Sequence, residues 1–145
     1  MTLKLFRAVW FLSVLVVLAN LLYVYASLPE SVVIQEADPV SLTREWLFYI
    51  LMIGIVIINL LVYLFKMIYG DQGENVRAWF HGLIITINLF LIISMHALNV
   101  YNSSEMFDHS RVSVFLGGSL GLIVIWAALW PLYLLVQKFF LKQAV

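Results

Sequence analysis

The chain has 145 residues, 64% of them hydrophobic and only 11% charged, with a mean hydropathy of +1.03; soluble domains run at about 45–50% apolar and about 25% charged. This composition excludes an ordinary soluble domain and marks an integral membrane protein. The formal net charge is zero and cysteine is absent, which excludes disulfides, thiol redox relays and thiolate metal sites.

The first apolar segment, residues 8–27, follows Lys4 and Arg7 and at roughly 20 residues is long enough to span a hydrocarbon core of about 30 Å. Val24-Tyr25-Ala26 has the form of a signal-peptidase site, but the apolar run exceeds the about 7–15 residues of a signal-peptide core, so the segment is expected to stay as a span. Residues 28–45 form a polar loop with Pro29, Glu30, Glu36, Asp38 and Pro39, in which Ser31-Val32-Val33-Ile34 reads as a short extended piece. Asp38 followed by Pro39 predicts a helix start, with Asp38 as N-cap and Pro39 at the first helical position. That helix carries Ser41, Thr43, Arg44 and Glu45 as an interfacial turn, spans residues 46–66, and is expected to stop at Gly70.

A short loop, residues 67–78, leads to a third span over 79–101. The loop at 102–111 ends in Arg111, and a fourth span covers 112–136. Residues 137–145 form a tail whose Lys138, Phe139, Phe140 and Lys142 make a basic, aromatic anchor. Hydropathy thus predicts an all-α integral membrane protein, a single membrane domain of four transmembrane helices in an up-down bundle.

Orientation follows from the cations. Lys4, Arg7, Lys66, Arg77, Lys138 and Lys142 fall on one side and only Arg44 and Arg111 on the other, so the richer side is expected to be cytoplasmic, with both termini inside. Trp10, Tyr63, Tyr69, Trp79, Trp130 and Tyr133 then lie near the inner interface, and Tyr23, Tyr25, Trp46, Tyr49 and Tyr101 near the outer one. Short loops and a basic inner side suit a bacterial inner (plasma) membrane.

The third span holds most of the polar chemistry. At 100° per residue His81, Asn88 and Asn99 fall within about 20° of one another and His96 about 60° to one side, forming one polar stripe. In hydrocarbon such a stripe faces another helix, a watery cavity or a cofactor rather than lipid. Asn20, Asn59 and Asn88 each sit in a different span, and an amide there does best by hydrogen-bonding across a helix interface; the functional alternative is a polar path for an ion or small solute. Ser113, Gly117 and Gly121 recur every four residues, a small-residue face that lets two helix backbones approach closely, within the chain or from a neighbour. Pro131, beside Trp126 and Trp130, is placed to kink the fourth helix.

His96 has three readings: a hydrogen-bonded structural histidine, a proton or solute relay, or an axial ligand to haem. His81 is about 22 Å away along the same helix and cannot face it across one haem; His109, in a loop, is a poor second ligand. The acids Glu30, Glu36, Asp38, Glu105 and Asp108 lie outside without calcium-loop spacing and read as a solvated, partner-facing rim. No phosphate loop, HExxH, GxSxG or Cys redox motif is present, nor any acid within a span. No basic patch lies beyond the membrane anchors, so nucleic acid is not an expected partner. Leu28-Pro29-Glu30-Ser31-Val32 distantly resembles a Leu-Pro motif of bacterial multispan proteins of the immunity-protein type; it covers five residues, the downstream His-x-Asn is missing, and nothing is carried over from it.

These features predict a non-enzymatic membrane subunit, holding no cofactor, whose partners are the lipid bilayer and either other membrane-protein subunits or itself. The alternatives are a small transporter or permeation unit using the stripe of the third span, and a haem-holding anchor through His96.

Overall fold

A computed structural model describes residues 2–35, 40–71, 73–103 and 109–141. The elements in chain order are α1 (Thr2–Ser27), β1 (Ser31–Gln35), β2 (Val40–Thr43), α2 (Arg44–Tyr69), α3 (Gly73–Tyr101) and α4 (His109–Leu141). All four helices are long and apolar enough to cross a membrane. Each also extends past its apolar run, α1 back to Thr2 and α4 on to Leu141, because flanking residues such as Leu3, Lys4 and Gln137 favour helix and internal backbone hydrogen bonds remain favourable beyond the hydrocarbon.

The start of α2 corrects the reading at Asp38-Pro39. Those two residues lie outside the described ones, but Val40–Thr43 is strand, so no helix begins at Pro39. The segment alternates apolar and polar side chains and pairs antiparallel with β1, Ser31 opposite Thr43 and Val32 opposite Leu42, with a register irregularity between Val33 and Gln35. The N-cap is Thr43, in extended backbone, whose Oγ1 accepts from the Trp46 N–H at 3.4 Å. The Arg44 N–H donates to the Glu30 carbonyl at 2.9 Å and continues the pairing by one step. At the other end α2 does stop before Gly70, yet Gly70 is right-handed (φ −57°, ψ −33°). The left-handed step falls instead at Gly73, φ 50°, where the missing Cβ removes the steric cost.

α3 is the central element: α1, α2 and α4 all pack on it, and α1 also packs on α2. The buried face of α1 comprises Leu3, Trp10, Val17, Leu21 and Val24, mostly at seven-residue spacing, the repeat that keeps one seam of a helix against its neighbours. Two apolar clusters result. One joins Val17, Leu21 and Val24 to Leu28, Val32, Leu47, Ile55 and Met95, and so docks the hairpin onto the helices; the other joins Trp10, Val62 and Ile84. Between them, at the middle of α1, α2 and α3, lies a polar layer.

Candidate functional site

The polar layer is built from one position on each of three helices, with Ser13 on α1, Asn59 on α2 and Asn88 on α3, and Trp10 closing it one turn away. Asn59 and Asn88 are 8% and 0% exposed. Asn59 Nδ2 donates to Asn88 Oδ1 and Asn88 Nδ2 to Asn59 Oδ1, both at 3.0 Å. The second hydrogen of Asn59 goes to the Ile55 carbonyl and that of Asn88 to Ser13 Oγ, both at 2.9 Å. Trp10 Nε1 donates to Asn59 Oδ1 at 2.9 Å, and Ser13 Oγ to the Trp10 carbonyl at 2.7 Å. Every N–H and O–H of these side chains is therefore used, which is what a low-dielectric site demands. The layer is a lock between helices in which every side-chain donor is spent on a partner within the layer or its own helix. Trp10, placed by its sequence position near an interface, points its indole N–H into this lock.

Of the other stripe residues, His81 is buried, its Nδ1 donating to the Arg77 carbonyl at 2.7 Å and its ring edge-on to Trp10. His96 is exposed. It lines a cleft of about 440 Å³ together with Asn20, Ile92, Ala97, Arg111 and Phe115, and Asn20 Nδ2 donates to the Ile92 carbonyl at 3.4 Å. Asn99 is half-buried and belongs to neither group. The stripe is thus divided into a buried part that holds helices together and an open part at His96. No family model matches the chain, and no curated protein or solved structure matches it.

The close approach of α3 to α4 is at Gly82 rather than at the small-residue face. A Cβ at Gly82 would overlap the Trp126 indole, whereas one at Gly117 or Gly121 would meet nothing within 4 Å. Ser113 and Gly117 are exposed and Gly121 is half-exposed. The contact is fastened by a reciprocal pair: Trp79 Nε1 donates to the Trp126 carbonyl and Trp126 Nε1 to the Trp79 carbonyl, both at 2.9 Å. Each carbonyl accepts this bond on a second lone pair. α4 runs on as helix through Pro131, whose ring nitrogen has no hydrogen for the Ala127 carbonyl.

Sequence reasoning missed Ser13, Gly82 and Asn102. Asn102 behaves like a strand residue: its Oδ1 accepts from the Val33 N–H at 2.8 Å and its Nδ2 donates to the Val33 carbonyl at 3.1 Å, closing the free edge of β1. Only its place just past a helix end, where Asn side chains satisfy backbone groups, hinted at this. Arg44 reaches back across the hairpin, its Nη1 donating to the Leu28 carbonyl at 3.3 Å while its guanidinium lies 5.0 Å from the Tyr25 ring centroid. Of the acidic rim, Glu30 is exposed; Glu36, Asp38, Glu105 and Asp108 lie outside the described residues, as do Lys142 and the side chain of His109. Among the described residues no three histidines or acids converge, and His81 sits near the start of α3, far from His96, so no second described histidine faces His96.

Proposed function

We propose that this chain is a non-enzymatic multipass protein of the inner (plasma) membrane, an up-down four-helix bundle with both termini cytoplasmic, acting as an accessory or assembly subunit through the exposed face of α4. The observation that carries this reading is the contrast between the two ends of the polar and small-residue inventory. The amides of Asn59 and Asn88 satisfy one another, while Gly117 and Gly121 stand on α4 where an added Cβ would meet nothing within 4 Å. A groove of small residues is poorly filled by acyl chains and well filled by a second helix backbone. The segments outside the helices are too short to form a catalytic domain.

The test is purification of the full-length chain in a mild detergent, with mass spectrometry of what accompanies it. Stoichiometric membrane partners or a defined homo-oligomer are expected, lost in a Gly117→Leu/Gly121→Leu variant that still folds. Recovery of wild type as a lone monomer would overturn the reading.

A second reading is favoured by the cleft: a small-solute or proton permeation unit working at Asn20 and His96. It expects flux in proteoliposomes that disappears in His96→Ala. Flux insensitive to that substitution would remove it.

A further inference from the structure

At the end of the molecule opposite the hairpin, a second pocket of about 160 Å³ opens between α1, α2 and α3, and each of the three helices delivers one cation to it: Arg7, Lys66 and Arg77. We propose that this pocket binds the phosphate headgroup of an anionic phospholipid. Lys66 and Arg77 flank the short turn between α2 and α3, Arg7 is brought to them only by the packing of α1, and among the described residues no carboxylate lines the pocket. Among the described residues none of the three makes an ion pair or is bonded to an acid through its side chain. Arg77 Nε is buried and has no hydrogen-bond partner. Buried donors in folded proteins are nearly always satisfied, and an orphan beside two further cations marks a place for an anionic acceptor.

The walls favour a lipid as the source of that anion. Trp10, Tyr63 and Phe65 line the pocket with the cations, so an entering phosphate meets charge while the glycerol behind it meets aromatic and apolar surface. Depth agrees as well. Arg7 lies near the start of α1, Lys66 in the last turn of α2 and Arg77 near the start of α3, the level at which a headgroup phosphate sits when these helices cross a bilayer. Basic pockets between membrane helices hold phosphate headgroups by the same combination of charge and enclosure.

The experiment titrates the full-length protein, in neutral detergent, with phosphatidylglycerol, phosphatidylcholine or inorganic phosphate, following thermal unfolding and lipid retention by native mass spectrometry. Phosphatidylglycerol is expected to bind saturably and raise the unfolding temperature, while phosphatidylcholine does neither. Lys66→Gln and Arg77→Gln should each weaken that binding about fivefold, and Lys138→Gln, exposed on α4 outside the pocket, should leave it unchanged. Lys66 is itself exposed, so its variant carries the test if Arg77→Gln fails to fold. Equal retention of the two lipids, wild-type affinity in Lys66→Gln, or full reproduction of the stabilisation by inorganic phosphate alone would each overturn the assignment, the last by identifying a free anion as the ligand.

Discussion

Asn59 and Asn88 form a reciprocal amide pair, each donating to the other's Oδ1 at 3.0 Å. Their helices are joined to a third through Trp10 and Ser13. A single hydrogen bond between membrane helices contributes on average only about 0.6 kcal/mol. Leaving a buried amide without its partner is worse, at about 1–3 kcal/mol. Asn88→Leu is therefore expected to destabilise by about 1–3 kcal/mol, and Asn59→Leu by a similar amount. The double variant should cost less than the sum of the two, because no orphaned amide remains. Unfolding in detergent measured for both singles and the double gives the coupling directly. Strict additivity would mean that the pair does not act as a unit.

Gly82 and Gly117 should answer differently to the same change. Alanine is the better helix former by about 0.8–1.0 kcal/mol, so Gly117→Ala, where the new Cβ meets nothing within 4 Å, is expected to be neutral or stabilising for the isolated chain. At Gly82 the methyl overlaps the Trp126 indole, and overpacking of this kind costs about 1–3 kcal/mol. Thermal melts of the two variants side by side decide the point. A Gly82→Ala protein as stable as wild type would show that α4 does not press on α3 there.

Asn102→Ala removes both bonds to Val33 and exposes the edge of β1. With neutral hydrogen bonds contributing about 0.5–1.5 kcal/mol each, amide exchange across Ser31–Gln35 should accelerate by about tenfold. Asn102→Asp keeps an acceptor for the Val33 N–H but loses the donor to its carbonyl, and is expected to fall between. Deuterium uptake of the hairpin peptide measures this; unchanged uptake in Asn102→Ala would leave the edge closed by something else.

The proposed orientation is open to chemical labelling, since the sequence has no cysteine and single replacements carry no background. Glu30→Cys, beside the hairpin, is expected to react with a membrane-impermeant maleimide in intact cells. Glu74→Cys, at the start of α3, should react only after permeabilisation. The reverse pattern would invert the topology and place the Arg7, Lys66 and Arg77 pocket outside.

Four apolar helices were legible in the residues alone, because spanning length and hydropathy are properties of a one-dimensional string and a backbone in hydrocarbon has to bond to itself. The extended piece at Ser31-Val32-Val33-Ile34 was legible for the same local reason, its β-branched run. Its partner strand was not, since Asp38-Pro39 carries a strong helix-start signal that the hairpin pairing overrides. Which face of each helix turns inward was hidden more thoroughly. In a soluble helix the buried face is marked by contrast with polar residues, but the exposed face of α1 carries Leu, Val and Phe where its buried face carries Leu, Val and Trp. Only the relative rotation and depth of α1, α2 and α3, set by packing, decides that Asn59 meets Asn88 and Trp10 while Asn20 and His96 open onto a cleft. The same holds for α4: a GxxxG pattern states that a close approach is sterically possible, and the shape of Trp126 is what moved that approach to Gly82.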